Sequence, residues 1–228
     1  MAIILKNVIL KDSQSIVLKS NTIIGVMGDN YEILLQKMKG NSIAKILKDD
    51  FLSENVLENI KLCYNKENLD EVLETFFKEL DLDRNILNKD IKELSSSEEK
   101  IVKYLILFIK NPKIIIIDEP FDDLDFGMRK RLISLFKKIV YKTGKTIIIG
   151  SVDSNLIYSL CKNILLFCND SYVYGDTMKI MTNIDILEKY NITIPDIVGF
   201  TNLVHDKGKN IEYSNDIRDL IKDVYRNV

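Results

Sequence analysis

The sequence is poor in cysteine and histidine, and this restricts its chemistry. Its 228 residues include three cysteines and one histidine. Cys63, Cys161 and Cys168 are odd in number and lie far apart among apolar neighbours. This pattern predicts buried, reduced thiols of a cytosolic protein rather than a disulfide framework. His205, far along the chain, is expected to be an exposed surface residue.

The sequence also has no large excess of charge of one sign. It contains 32 basic and 34 acidic residues, and its net charge is −2. A nucleic-acid-binding surface needs a clear basic excess, so nucleic acid is not an expected partner. No apolar run approaches the roughly 20 residues that span a bilayer. Residues 1–6 predict a short strand rather than a secretory signal. If the protein serves a membrane, we expect it to do so through partners on the cytoplasmic side.

The sequence does contain alternating β-branched runs and helical patterns, without internal repeats. Strands are predicted at 3–9, 15–27 with a break at 19–21, 43–47, 114–117, 145–150 and 163–167, with a hairpin return at 172–176. Helices are predicted at 32–39, 96–110, 126–142 and 154–161, besides a helical segment from 49 to about 92 and a helical tail. This alternation predicts an α/β fold around a buried parallel sheet, and the length allows one small subdomain.

The most informative stretch begins with the polar turn Leu94-Ser95-Ser96-Ser97-Glu98, which opens a helix. The helix leads into the strand 114–117 and the acidic turn Asp118-Glu119-Pro120. Residues 121–125 and a second β-branched strand follow. Acids at the carboxyl end of a buried strand are typical of phosphate and metal chemistry. In this order and at this spacing, the elements resemble the second half of an ATP-binding cassette (ABC) ATPase: signature motif, Walker B, D-loop and switch strand.

The resemblance implies roles for the two carboxylates that end the first of these strands. Asp118 would hold a magnesium ion, directly or through water, and Glu119 would be the catalytic residue that polarises an attacking water. A strand-ending turn alone would explain an isolated Asp-Glu-Pro, but the motifs on either side support the family assignment.

The signature turn departs from the family pattern Leu-Ser-Gly-Gly-Gln. Ser95 matches, Ser96 and Ser97 replace the two glycines, and Glu98 replaces glutamine. The resemblance implies that Ser95, Ser96 and Ser97, with Asp125 of the D-loop, contact ATP bound to the opposite subunit of a head-to-tail dimer. Physically, Ser95 and Glu98 also have the spacing of a capping box at the start of a helix.

The first half of the chain lacks the expected phosphate-binding loop. Gly28 and Asn30 match the start of the family's Walker A loop, but the loop is about three residues short. Tyr31 stands where the lysine should be, and Glu32 where the magnesium-binding hydroxyl should be. Because Walker A holds phosphates through glycine N–H groups and a lysine, we expect this cradle to be absent.

Other parts of the chain's own nucleotide site also depart from the family. Residues 8–11 contain no aromatic residue to stack on adenine, Lys48 replaces the glutamine of the glutamine loop, and Val152 replaces the switch histidine. The family's β-hairpin has no counterpart in 40–48. These departures predict that the chain's own ATP site is impaired.

The tail from 176 to 198 resembles the extension of cobalt- and vitamin-type energy-coupling factor ATPases, which helps two ATPase subunits dimerise. The expected domains are 1–175, an ABC ATPase-like domain with a reduced β-subdomain and a helical insertion at about 50–93, and 176–228, a C-terminal helical extension.

The resemblance implies a degenerate ABC subunit of a membrane transporter of the energy-coupling factor type. It also implies that ATP and Mg²⁺ bind at a partner's site, with weak or no binding at the chain's own site. The expected partners are a second ABC ATPase and an integral membrane subunit that docks near 51–80. The two ATPase subunits would form a homodimer or, in preference, a heterodimer. The location would be the cytoplasmic face of the membrane. Two alternatives stay open: an active ATPase with an atypical loop, because Asp118 and Glu119 are present, and a non-catalytic scaffold or regulator. The transported substrate and its direction are not encoded here.

Overall fold

A computed structural model of the protein describes residues 2–6, 15–38, 43–45, 51–64, 68–168 and 171–227. Its strands are β1 (Ala2–Lys6), β2 (Ser15–Lys19), β3 (Ile23–Gly28), β4 (Ile43–Lys45), β5 (Ile114–Asp118), β6 (Thr146–Gly150), β7 (Asn163–Cys168) and β8 (Ser171–Asp176). Its α-helices are α1 (Tyr31–Lys37), α2 (Val56–Cys63), α3 (Leu69–Leu80), α4 (Ser96–Ile109), α5 (Phe126–Thr143), α6 (Ser154–Leu160), α7 (Thr177–Met181), α8 (Ile184–Lys189), α9 (Asp196–Asp206) and α10 (Ile217–Asn227). The chain divides into two compact units, Met1–Lys39 with Ile148–Val228, and Gly40–Ile147.

The first unit contains a parallel strand pair extended by a hairpin. Strand β3 runs parallel to β7, with Gly28 opposite Phe167, and β7 pairs antiparallel with β8. Strands β1 and β2 form a separate two-stranded antiparallel sheet. The central strands are buried along most of their length, as expected for strands covered on both faces. The apolar core of this unit includes Ile24, Val26, Ile157, Ile164, Leu165, Leu166, Met181, Leu187 and Val198.

The second unit combines strands with a helical layer. Strand β4 runs parallel to β5, and Thr146 at the start of β6 donates its N–H to the carbonyl of Lys113. Helix α4 is the central element, because every residue from Leu105 to Ile109 is buried. Aromatic rings join α3, α4 and α5, with centroids 5.6–6.0 Å apart, and the rings belong to Phe76, Tyr104, Phe108, Phe121 and Phe136. The Arg131 guanidinium of α5 also pairs at 2.6 Å with Asp81, which ends α3.

The α/β class and its parallel strands are confirmed, and most predicted elements lie within a few residues of the observed ones. The break predicted at 19–21 separates β2 from β3 and contains Asn21 with a positive φ of 58°. Gly40, the residues 8–11 and Lys48 lie outside the described residues, as do the ends of the predicted strands 3–9 and 43–47. Among the described residues, no helix is long and apolar enough to cross a membrane.

Two expectations about single residues were wrong. His205 is half-buried rather than exposed, because its ring lies edge-on to Tyr213 and its Nε2 is 2.7 Å from the carbonyl oxygen of Ile211. The three cysteines are reduced thiols, but only Cys161 is buried. Cys63 and Cys168 are half-buried, since each is the last residue of its helix or strand.

Candidate functional site

The turn between β3 and α1, where the sequence places the degenerate phosphate-binding loop, consists of Asp29 and Asn30 alone. Gly28 has a φ of +109°, and a Cβ at this position would collide with the backbone carbonyl of Phe167 on β7. Asn30 is left-handed, with a φ of 57°, and its carbonyl accepts the N–H of Ile33 at 3.0 Å. Glycine is therefore required at 28 for packing against a neighbouring strand, whatever else it does.

Tyr31, the first residue of α1, is turned into the protein. Its side chain is 3% exposed. The ring covers Gly150 at the end of β6, because a Cβ on Gly150 would lie 2.5 Å from Tyr31 Cε2. Glu32, the next residue, is exposed. An aromatic ring and a carboxylate thus occupy the first two positions of the helix that follows the turn.

Asp29 of the same turn contacts the end of β7. The Cys168 thiol donates a hydrogen bond to Asp29 Oδ2, with 3.3 Å between sulfur and oxygen. This hydrogen bond, with a smaller contribution from burial, raises the pKa of Cys168 above its usual value. The thiol therefore stays protonated at neutral pH, and the contact is a neutral donor to an acid rather than a thiolate site.

The turn after β6, where the switch residues are expected, also lacks a titratable ring. Ser151 is buried, and its N–H donates to the carbonyl of Val26 on β3 at 3.3 Å. Val152 points outward and is 74% exposed. Asp153 caps α6, because its Oδ1 accepts the N–H of Leu156 at 3.1 Å. The turn has the shape of a helix start, with an apolar side chain where a histidine was expected.

In the second unit, the acidic turn at the end of β5 is held by helix α4. The Lys100 ammonium donates to the carbonyl oxygen of Glu119 at 2.6 Å, and the Tyr104 hydroxyl donates to the carbonyl oxygen of Pro120 at 2.5 Å. Lys100 and Tyr104 are four residues apart, so both project from one face of the helix. Glu119 has a φ of 39°. The two hydrogen bonds clamp a turn that contains this unfavourable backbone conformation.

The clamp lies in a strongly acidic environment. Partial burial lowers the pKa of Lys100, and four nearby carboxylates raise it again, those of Asp122, Asp123, Glu119 and Asp118. Asp118, Asp122 and Asp123 are exposed. The described residues contain no group of three or more His, Cys, Asp or Glu side chains arranged to hold a metal ion. Asp118 is thus one of four carboxylates near Lys100, and in the part of the chain that the structure describes these carboxylates do not form a preformed metal cage.

The signature turn has the capping-box geometry that its sequence predicts. Ser95 Oγ accepts the N–H of Glu98 at 3.3 Å, and Glu98 Oε2 accepts the N–H of Ser95 at 3.0 Å. The Ser95 hydroxyl also donates to Glu98 Oε2 at 3.0 Å and lies 3.2 Å from Ser97 Oγ. Ser95 and Ser96 are exposed and Ser97 is half-buried. The hydroxyls are thus accessible to solvent, although that of Ser95 already has partners within the turn.

The charge that Glu98 brings to the turn is balanced by Lys89, whose ammonium is 2.6 Å from Glu98 Oε1. This hydrogen bond and those from Ser95 lower the pKa of Glu98, so the carboxylate is ionised at neutral pH. Asp125 caps α5 in the same way, with Oδ1 accepting the N–H of Met128 at 2.9 Å. Asp125 is exposed.

The predicted site residues divide between the units. Gly28 and Asn30 belong to the first unit, and Ser95, Ser96, Ser97, Asp118, Glu119 and Asp125 to the second. Sequence reasoning missed Lys100 and Tyr104. A lysine and a tyrosine one helical turn apart, just after the signature turn and before a wholly apolar stretch, were the available signal.

Several known proteins are similar to this chain in sequence or in fold. No family model matches the sequence. The energy-coupling factor transporter ATP-binding protein EcfA2 of Mycoplasma mobile is 28% identical over 168 residues, which are 72% of this chain and 54% of that protein. The chain spans about half the length of the first curated relatives it matches.

Solved structures share the fold. The protein cbiO1 of Clostridium perfringens, described as part of the ABC transporter complex cbiONQ, superposes with a TM-score of 0.61 at 17% identity, covering 85% of this chain and 92% of that one. A bacterial ABC transporter cassette solved as a dimer gives a TM-score of 0.61 at 18% identity, covering 78% and 99%. ABC transporter ATP-binding proteins, including an energy-coupling factor protein, are therefore among the homologues of this chain, and its fold is that of ABC cassette structures.

Proposed function

We propose that the chain is a degenerate ABC subunit of a membrane transporter of the energy-coupling factor type. In this proposal it leaves its own phosphate position without ATP and completes the ATP site of a partner subunit through its signature turn. The observation that carries the proposal is the two-residue turn before Tyr31, whose ring is buried against Gly150.

The chain's own site does not fit ATP and Mg²⁺. A Walker A loop wraps phosphates with several backbone N–H groups, a lysine ammonium and a magnesium-binding hydroxyl. Here Asp29 and Asn30 alone separate β3 from α1. Tyr31 brings a buried ring in place of the cation, and Glu32 brings a carboxylate, which would oppose a contact-range phosphate by about 1–4 kcal/mol.

The composite site is supported by the exposed start of α4. This helix is 14 residues long, and its N-terminus carries Ser95 and Ser96 on the surface. The amino end of a helix favours an anion such as a γ-phosphate. The pairing of Lys89 with Glu98 removes most of the repulsion that the glutamate would otherwise exert. In the proposal, Ser95, Ser96, Ser97 and Asp125 approach the partner's nucleotide.

Specific observations favour the two alternatives as well. Asp118 as metal ligand and Glu119 as catalytic residue are the groups that an active ATPase would use, and Asp118 is exposed at a strand end. The internal hydrogen bonds of the Ser95 hydroxyl favour a scaffold that makes no contact with nucleotide. Both alternatives make predictions that differ from those of the composite site.

The proposal includes partners of the kind that the names of the relatives mention. The chain would pair with a second ABC ATPase subunit, in a heterodimer, at the cytoplasmic face of a membrane, and would dock an integral membrane subunit near residues 51–80. In this segment, Leu52 and Leu62 are exposed. The buried Asn59 holds the turn before α2, because its Oδ1 accepts the N–H groups of Leu52 and Ser53 at 2.6 and 3.0 Å. The domain boundaries at 175 and 176, with the insertion at 50–93, belong to the same proposal.

Calorimetric titration of the purified chain with ATP, in the presence and absence of Mg²⁺, tests the empty-site part. We expect no saturable binding below millimolar ATP. Thermal unfolding of the same sample serves as the control for a folded protein. Micromolar, magnesium-dependent binding would contradict the proposal and favour the active ATPase.

Cross-linking separates the composite site from the scaffold. Ser95→Cys in the co-purified complex should form a cross-link to the partner's phosphate-binding loop. Ser134→Cys, an equally exposed position on α5, is the matched control and should not. A complex that assembles normally without the Ser95→Cys cross-link would support the scaffold instead.

A further inference from the structure

A pocket lies in the Gly40–Ile147 unit, at the carboxyl ends of α4 and α5. Its volume is about 590 Å³, within the range of sites that bind small molecules. Part of its wall is apolar and is formed by Val72, Phe76, Phe108, Ile109 and Ile139. The Phe76 and Phe108 rings are nearly parallel, with centroids 5.6 Å apart. Such walls suit the apolar body of a ligand.

Among the residues that the structure describes, the lining of this pocket contains two lysines and no carboxylate. They are Lys110 at the end of α4 and Lys145 just before β6. The Lys145 ammonium donates to Asn111 Oδ1, a neutral group. Among the ion pairs within the described residues, none involves Lys145. A half-buried ammonium with only a neutral partner is a favourable position for an anion.

From this arrangement we infer that the pocket binds a small amphipathic anion, with an apolar body against Phe76 and Phe108 and a single anionic group at Lys145 and Lys110. Partial burial lowers the pKa of Lys145, which an anion bound there would reverse. The nearby carboxyl ends of the helices disfavour an anion, but this dipole effect is weaker than a charge-assisted hydrogen bond at contact distance. The inference does not depend on the signature turn or on ATP binding by the chain.

Cys63 provides a readout specific to this pocket. It lines the cavity and is half-buried, whereas Cys161 is buried elsewhere. In a Cys168→Ser background, iodoacetamide should therefore modify Cys63 alone in the folded chain. The probe ligand is anilinonaphthalene sulfonate, and its uncharged analogue N-phenylnaphthylamine is the control that lacks the anionic group.

We expect the sulfonate to slow alkylation of Cys63 saturably, about tenfold at full occupancy, and the uncharged analogue to need about tenfold higher concentration for the same protection. Lys145→Gln should raise the required sulfonate concentration about tenfold and leave the analogue unchanged. Lys145→Arg should restore part of the affinity. Lys142→Gln, an exposed lysine outside the pocket, is the matched control and should have no effect.

Two results would overturn the inference. Alkylation of Cys63 at an unchanged rate in saturating sulfonate would show that nothing of this class enters the pocket. Equal protection by the sulfonate and its uncharged analogue, together with no effect of Lys145→Gln, would show an apolar cavity that does not recognise the anion. Thermal unfolding of each variant confirms that the comparison is between folded proteins.

Discussion

The side chain of Asn155 caps a helix that begins 41 residues later, through a reciprocal pair of hydrogen bonds with Asp196. Asn155 Oδ1 accepts the N–H of Asp196 at 2.7 Å, and Asn155 Nδ2 donates to Asp196 Oδ2 at 3.1 Å. Pro195, the residue before α9, provides no side-chain cap. The start of α6, directly after the switch turn, is thereby tied to the start of α9 in the tail.

Asn155→Ala should lower the free energy of unfolding by about 0.5–2 kcal/mol, the usual cost of losing a helix cap. Urea denaturation measures this loss, and hydrogen exchange should show that the first amides of α9 lose protection. Asn155→Asp keeps an acceptor but places a second carboxylate beside Asp196. Because salt screens the repulsion between the two carboxylates, the loss of stability in this variant should become smaller as salt is added. Unchanged unfolding of Asn155→Ala would mean that the pair contributes nothing to stability.

Gly150→Ala should be clearly destabilising, by about 1–3 kcal/mol, because the added methyl group would overlap the Tyr31 ring and Leu35. Gly199→Ala is the matched control. Gly199 lies within helix α9, and among the described residues its Cβ would meet only Ile194, at 3.9 Å. There the change should stabilise by about 0.5–1 kcal/mol, because glycine is a poor helix former. Urea midpoints of the two variants should therefore move in opposite directions.

Tyr158→Phe should raise the free energy of unfolding by about 1 kcal/mol at neutral pH. The Tyr158 hydroxyl is buried and has no hydrogen-bond partner among the described residues, so its removal relieves a desolvation cost. Urea denaturation near pH 7 is the measurement. If Tyr158→Phe instead lowers stability, as Tyr→Phe does where a buried hydroxyl is hydrogen-bonded, the Tyr158 hydroxyl does bind a partner, such as a water molecule.

The same tyrosine predicts a pH dependence. Burial, with a smaller effect of Tyr213, raises the pKa of Tyr158 from 10.0 to about 12. Above pH 10 the unfolded chain loses this proton while the folded chain keeps it, so the stability that is present below pH 10 declines as the pH rises toward 12. Tyr158→Phe should make this decline shallower. Burial also raises the pKa of Tyr104, so some decline should persist in the variant.

Ser95→Arg should abolish the partner's stimulated ATPase activity if Ser95 approaches the partner's γ-phosphate, because the larger side chain and the lost hydroxyl both block closure of the site. The chain should still fold, since the lost cap costs only about 0.5–2 kcal/mol. Ser134→Arg, at an exposed position of α5, is the control and should leave the partner's ATPase activity unchanged. An unchanged hydrolysis rate in a normally assembled Ser95→Arg complex would move the chain to the scaffold class.

The sequence predicted what depends on local pattern. The β-branched run before Asp118 forms β5, and the spacing of Ser95 and Glu98 forms a capping box. These features follow from residues within four positions of each other, where side-chain period and helix capping decide the structure. The sequence likewise predicted a shortened phosphate-binding loop after Gly28, and the structure has a two-residue turn there.

The sequence did not predict contacts between distant residues. Lys100 meets the Glu119 carbonyl 19 residues away, and Asn155 meets Asp196 across 41 residues. His205 was expected on the surface because it is a lone histidine in the tail, and nothing near it in the sequence indicates the Tyr213 ring that lies edge-on to it. Each of these pairings is set by the packing of whole helices, which no local pattern encodes.

The two hydrogen bonds from Lys100 and Tyr104 to the Glu119-Pro120 turn have a mechanical consequence. Lys100 and Tyr104 lie about one and a half and two and a half helical turns after Ser95, on the same helix α4. If either the signature turn or the Glu119-Pro120 turn moves, the other must move with it unless the hydrogen bonds of Lys100 and Tyr104 break. Helix α4 therefore connects the signature turn and the Glu119-Pro120 turn as one element, and a movement of one turn can reach the other without any change in secondary structure.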